Sequence, residues 1–171
     1  LRAGRPVVLP TETVYGVAAL PGDPGAVEEL FERKGRPGER LLAVLVADRE
    51  AARRIAVVDA MFEVLAASFW PGPLTIVAQR RPEAGLHLGD GSSTVGVRCP
   101  GHPFLRELIG ACRFPPAVLR ANLSNHVSPT TAAHVRVQLG GRIPLLIHGG
   151  SARVGIASPV VVLSSSFSSF F

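Results

Sequence analysis

Short apolar runs broken by glycine, proline and polar clusters alternate along this chain with stretches of helical spacing. Residues 6–9 are apolar and are closed by Pro10, which predicts a buried strand. Asp23 followed by Pro24 reads as an N-cap and first helical position, and Val27, Leu30 and Phe31 repeat at helical spacing up to Lys34-Gly35. The basic segment Lys34-Gly35-Arg36-Pro37 therefore falls at a helix C-terminus. Residues 41–46 predict a strand, and 51–55 and 60–69 predict helices that Pro71-Gly72-Pro73 stops. Strands are expected over 74–78 and 94–97, on either side of a polar, glycine-rich loop over 80–93. A short helix over 102–109, a strand over 117–119 and a helix over 129–139 follow, the last with Ser128 as N-cap and Pro129 at its first position. Strands over 144–147 and 160–163 complete the pattern. The alternation predicts an α/β domain over residues 1–163 with one main sheet, followed by a low-complexity Ser/Phe tail over 164–171. Several links are too short for a helical crossover, so the sheet is expected to be mixed rather than purely parallel.

At 171 residues the chain fits one domain with a sizeable core. Its apolar content is 47% and its mean hydropathy is +0.30, yet no run reaches the ~20 apolar residues of a membrane helix, so a cytoplasmic protein with no membrane partner is expected. Residues 1–9 are too short and too interrupted for a secretory signal, and the chain opens inside an element, so an earlier segment is expected. Eighteen Lys and Arg against 13 Asp and Glu give a net charge of +5, which favours anionic partners such as nucleotides or nucleic acid. The cations are almost all arginine, which suits bidentate phosphate or carboxylate contacts and follows equally from a GC-rich genome. The two cysteines, Cys99 and Cys112, are too few for a disulfide scaffold and fit a reducing compartment.

Neither a Walker loop, a Gly-x-Gly-x-x-Gly turn nor a Gly-x-Ser-x-Gly elbow occurs, and His-x-x-x-His and Cys-x-x-Cys spacings are absent. Cys99, His102 and Cys112 could share a metal, but two buried thiols and a histidine at a helix start fit their spacing better. Thr11, Glu12, Thr13 and Tyr15 follow a strand, where α/β folds place ligand loops, and turn chemistry does not account for all their polar groups. Ser92, Ser93 and Thr94 precede a strand that delivers Arg98, either as a ligand edge or as a capped loop and a surface arginine. The segment 122–130 packs many donors and acceptors between apolar elements, and a helix cap accounts for Ser128 but not for Asn122 or Ser124. His148-Gly149-Gly150 is either a tight turn, the simpler reading, or a backbone free to approach a ligand.

Taken in order, Pro10-Thr11-Glu12-Thr13-Val14-Tyr15-Gly16, Lys34-Gly35-Arg36-Pro37, Trp70-Pro71-Gly72-Pro73-Leu74-Thr75, Val95-Gly96-Val97-Arg98-Cys99-Pro100 and Ala121-Asn122-Leu123-Ser124 resemble the YrdC-like family, the threonylcarbamoyl-AMP synthases of transfer-RNA modification. The resemblance implies a twisted open α/β sheet with a basic concave face, flanked by helices. It also implies a nucleotidyltransferase that combines L-threonine, bicarbonate and ATP, normally with Mg²⁺, into threonylcarbamoyl-adenylate and pyrophosphate. The adenylate passes to a downstream transfer-RNA-modifying enzyme, and transfer RNA or double-stranded RNA is a further partner the resemblance suggests. Cations placed where charge develops on the leaving pyrophosphate suit that chemistry without a covalent nucleophile. Carried over by motif, Thr13, Arg98 and Ser158 resemble threonine contacts. Lys34, Arg36 and Arg40 resemble cations around the ATP phosphates, with Lys34 and Arg36 catalytic, while Thr94, Asn122 and Ser128 resemble nucleotide contacts. No residue is assigned as general base. The chain departs from the family at Arg120, where a serine is usual, at Leu41-Leu42 for Pro-Leu, at His148-Gly149-Gly150 for Asp-Gly-Gly, and at Ala157-Ser158-Pro159 for Glu-Ser-Thr. Two alternatives keep the same fold: an RNA- or nucleotide-binding module with diverged catalysis, and a carbamoyltransferase relative that forms carbamoyl-adenylate.

Overall fold

Asp23 starts the first helix as its position predicts, its carboxylate accepting the N–H groups of Gly25 and Ala26 at 3.0 and 3.4 Å. Helix α1 (Pro24–Arg33) then buries Ala26, Val27, Leu30 and Phe31 and ends with Lys34 at its C-cap. The computed structural model describes residues 1–35, 42–89, 91–112, 114–123 and 126–163. Arg36, Arg40 and Ser124 of the motifs, and the 164–171 segment, lie outside them.

The described strands are β1 (Val7–Leu9), β2 (Gly16–Ala19), β3 (Ala43–Leu45), β4 (Thr75–Gln79), β5 (Thr94–Arg98), β6 (Ala117–Arg120), β7 (Leu145–Leu146) and β8 (Val160–Val162). They form one sheet in the order β7-β1-β2-β6-β3-β5-β4-β8. Pairs β1–β7, β3–β5 and β4–β8 are parallel and the others antiparallel, so the sheet is mixed, as the short links require. Helices α2 (Arg49–Ile55), α3 (Ala60–Phe69), α4 (Pro103–Ala111) and α5 (Ala132–Leu139) complete the described set, with a single 3₁₀ turn at Pro82–Ala84.

Strand alternation divides the core. Val8, Val17, Val44, Val97 and Ala117 point to the face covered by α1, α2, α3 and α5, where Phe31, Ile55, Phe62 and Leu139 are buried. Val7, Leu9, Ala18 and Leu45 point the other way and pack on Leu105 and Ile109 of α4. Among the described helices only α4 contributes to that second cluster.

Two elements differ from the sequence pattern. Strand β2 lies inside the sheet, between β1 and β6, although Gly-Val-Ala-Ala carries little strand propensity; complete burial on both sides overrides it. Gly16 is required there, because a Cβ would lie 2.4 Å from Val118 Cγ1. Helix α5 begins three residues later than Ser128-Pro129 suggests. Thr131, not Ser128, is its N-cap, accepting the His134 N–H at 3.2 Å. The cause is tertiary: the Pro129 carbonyl accepts the Tyr15 N–H at 2.9 Å and the Thr130 carbonyl accepts the Ala152 N–H at 2.8 Å, which commits both to other segments.

Candidate active site

Loop 10–15, between β1 and β2, organises the site. Thr11 is its internal brace: Oγ1 accepts the N–H groups of Thr13 and Val14, each at 3.1 Å, and donates to the Val14 carbonyl at 2.5 Å. Turn chemistry therefore does explain Thr11. Tyr15 is wholly buried; its hydroxyl donates to the Gly150 carbonyl at 2.6 Å and accepts the Gly149 N–H at 3.1 Å. This fixes segment 149–158 over the loop, where the Val154 and Gly155 N–H groups also donate to the Glu12 and Thr13 carbonyls at 2.9 and 3.0 Å. Gly149 is a close approach of backbone to the chain's own Pro10, whose Cγ would lie 2.5 Å from an added Cβ.

These constraints leave Glu12 and Thr13 facing Arg98, which lies at the end of β5. Arg98 is buried, not a surface residue. On one edge of its guanidinium, Nε donates to the Gly72 carbonyl at 3.2 Å and Nη2 pairs with Glu12 Oε1 at 2.8 Å. On the other edge, Nη1 and Nη2 both lie 3.2 Å from Thr13 Oγ1, and Nη1 also donates to Ser158 Oγ. Thr13 and Ser158 hydroxyls are themselves 3.3 Å apart. One edge is thus held by the protein's fixed acceptors, and the other presents a fork of donors covered by two neutral hydroxyls, the arrangement that a carboxylate accepts bidentately. The motifs around Thr13, Gly72, Arg98 and Ser158 meet here from positions far apart in the chain.

Glu12 is the residue that motif reading passed over as a site member. Its Oε1 also accepts the Gly101 N–H at 2.8 Å. Burial alone would raise its carboxyl, but the Arg98 charge and the hydrogen bonds from Gly101 and Arg98 outweigh that and hold it below the ordinary carboxylate value. Its other oxygen, Oε2, is buried without a hydrogen-bond partner among the described residues, as is Nδ1 of neighbouring His102. The acidic residue between two threonines was visible in the sequence; its pairing with Arg98 was not.

The remaining candidates lie elsewhere. Thr94 begins the strand that ends at Arg98, roughly 13 Å away at strand spacing, and its hydroxyl is 2.8 Å from Ser92 Oγ. Lys34 Nζ donates to the Arg120 carbonyl, at the end of β6 that pairs with Gly16. Asn122 has a structural task after all, its amide donating to the His126 carbonyl at 2.8 Å. Ser128 sits beside the Pro129–Tyr15 contact. Lys34 and the Arg120 carbonyl therefore meet at a rim beside Gly16, where the loop ends, with Asn122 two residues further along the chain. Burial pushes the thiols of Cys99 and Cys112 up, so neither is poised as a thiolate, and among the described residues no group of His, Cys, Asp or Glu is placed to hold a metal ion.

A mixed α/β sheet thus carries a buried arginine fork beside a loop with two threonines. More particularly, the chain belongs to the Sua5/YciO/YrdC family, whose model, described as telomere recombination, matches residues 1–169. It is 39% identical over 165 residues to the threonylcarbamoyl-AMP synthase of Pyrococcus abyssi, covering 96% of this chain and 48% of that one. It is 37% identical over 163 residues to the Bacillus subtilis threonylcarbamoyl-AMP synthase, covering 94% and 47%. The chain thus spans about half the length of these curated relatives. The crystal structure of P. abyssi Sua5 complexed with L-threonine superimposes with a TM-score of 0.86 at 40% identity, over 95% of this chain and 48% of that one.

Proposed function

We propose that this chain is the catalytic domain of an L-threonylcarbamoyladenylate synthase, which joins L-threonine, bicarbonate and ATP into threonylcarbamoyl-AMP with release of pyrophosphate. The observation that carries the reading is the Arg98 fork with the Thr13 and Ser158 hydroxyls at its open edge. L-Threonine would place its carboxylate on that edge, displacing the hydroxyls into contacts with itself. The names of the two synthases and the threonine complex of the P. abyssi protein support this assignment.

ATP then belongs on the adjoining rim. Lys34, with Arg36 and Arg40 from the same segment, would meet the phosphates, and Lys34 and Arg36 would stabilise the charge that develops on the leaving pyrophosphate. Thr94, Asn122 and Ser128 would contact the nucleoside, and Arg120 adds an exposed cation beside Lys34. The described residues around Arg98 offer its one guanidinium, two hydroxyls and one paired carboxylate, a set fit for anionic oxygens rather than for a bare cation. Mg²⁺ would accordingly arrive on the ATP phosphates, where it supplies charge neutralisation. The assay is pyrophosphate release with each substrate omitted in turn. Release that requires threonine and bicarbonate together is expected, and ATP breakdown indifferent to both would sink the assignment.

A transfer-RNA contact has its own support. All 13 acidic residues lie at or before Glu107, whereas Arg113, Arg120, Arg136, Arg142 and Arg153 follow it, so the whole net charge of +5 resides in the last third of the chain. Arg120, Arg136, Arg142 and Arg153 are exposed. These exposed arginines would contact the RNA to which the downstream modifying enzyme transfers the product. Transfer-RNA affinity should fall steeply with salt, and salt-independent affinity would refute the electrostatic surface.

A further inference from the structure

The charge balance of the buried cluster bears on which ligands it admits. Arg98 and Glu12 pair at 2.8 Å with both side chains 7% exposed, so their charges cancel in a place water does not reach. A ligand that brings only a carboxylate to the Arg98 fork adds an uncompensated negative charge beside the Glu12 carboxylate, at a cost that low dielectric magnifies. A ligand that brings a carboxylate and an ammonium together leaves the cluster neutral. The structure also holds a receptor in reserve for the second charge. Glu12 uses Oε1 for both Arg98 and the Gly101 N–H, while Oε2 is buried with no hydrogen-bond partner among the described residues. An unmatched carboxylate oxygen in a protein interior costs stability.

We infer that Glu12 is the specificity-determining residue that makes this pocket select an α-amino acid over the same acid lacking its amino group, by balancing Arg98 and offering Oε2 to the ligand's ammonium group. Arg98 reads the carboxylate and Glu12 reads the nitrogen, so that together they recognise the zwitterion. The inference rests on the threonine-binding reading above and extends it to a residue outside the motif-derived site.

The test compares calorimetric affinities for L-threonine and for 3-hydroxybutyrate, which is threonine without its amino group, in the wild-type chain, Glu12→Gln and Glu12→Asp. Wild type should prefer threonine by about 10- to 100-fold, the range of a charge-assisted hydrogen bond. Glu12→Gln keeps an acceptor for Gly101 and Arg98 but removes the charge. It should weaken threonine while leaving 3-hydroxybutyrate unchanged or tighter, erasing most of the preference, and Glu12→Asp should retain it. Equal weakening of both ligands in Glu12→Gln would reduce Glu12 to a brace for Arg98 and overturn the inference. So would wild-type binding of threonine with no preference, which leaves the threonine site itself standing. A wild-type chain with no threonine affinity removes the proposed function and this inference with it. Should Glu12→Gln melt below the assay temperature, the same comparison is made at a lower temperature at which its melting curve shows it folded.

Discussion

Replacing Arg98 by methionine should destabilise the protein in a way that a second substitution repairs. In Arg98→Met the Glu12 carboxylate keeps the Gly101 N–H but loses its cation, while its Oε2 is already without a hydrogen-bond partner among the described residues. Removing one member of a buried ion pair costs about 3–5 kcal/mol, because the survivor stays charged and poorly solvated. For a chain of this size that is a fall of roughly 6–20 °C in Tm. Adding Glu12→Gln removes the stranded charge and keeps a polar acceptor for Gly101, so the double variant should recover about 2–3 kcal/mol relative to Arg98→Met. Urea unfolding followed by tryptophan fluorescence measures this directly. The chain has a single tryptophan, Trp70, part-buried with its ring edge-on to Phe62 at 5.5 Å, so its emission reports the loss of packing at α3. The four proteins of the cycle give the coupling energy. Additive losses, or an Arg98→Met variant within about 1 kcal/mol of wild type, would refute the description of Glu12 and Arg98 as a desolvated, mutually dependent pair.

Two further outcomes follow from the same geometry. Since the folded state holds Glu12 below its ordinary pKa, its stabilising contribution is complete above the unfolded carboxylate value and is lost as pH falls through the lower folded one. Stability should therefore decline more steeply on acidification in wild type than in Glu12→Gln, and identical acid limbs in urea titrations would contradict the pairing. Tyr15→Phe removes the hydroxyl that serves both Gly149 N–H and Gly150 carbonyl, which should cost about 1–3 kcal/mol and speed amide exchange around residues 149–155, while unchanged exchange would show that the segment is held by its other contacts.

The elements that the sequence announced most clearly are those whose signals are local. Asp23-Pro24 caps α1 through its own side chain, and Pro71-Gly72-Pro73 follows α3 as a proline-rich stop must. The elements it hid depend on distant partners. Strand β2 exists because β1 and β6 flank it, and α5 starts late because Tyr15 and Ala152 claim the carbonyls before it. The site divides the same way. Thr13, Arg98 and Ser158 were legible as motif members and do converge. The loop bonds of Thr11 and Asn122 were not legible, since a short polar side chain that bonds its own loop looks in sequence like one that awaits a ligand. Glu12 was visible but unassigned, because nothing near it in the chain indicates the arginine 86 positions away that gives it a purpose.

The separation in sequence of the groups around Arg98 has a thermodynamic consequence for ligand discovery. A compound bridging Arg98, Thr13 and Ser158 ties together the loop before β2, the end of β5 and the segment before β8. None of these can open alone without releasing it, so its binding energy adds to the cooperative unfolding of the domain rather than to a local fluctuation. At a concentration about 100 times its Kd, such a compound raises global stability by about 2.7 kcal/mol. Thermal melting therefore reads occupancy of this site directly, with no need for turnover or for a label on the ligand.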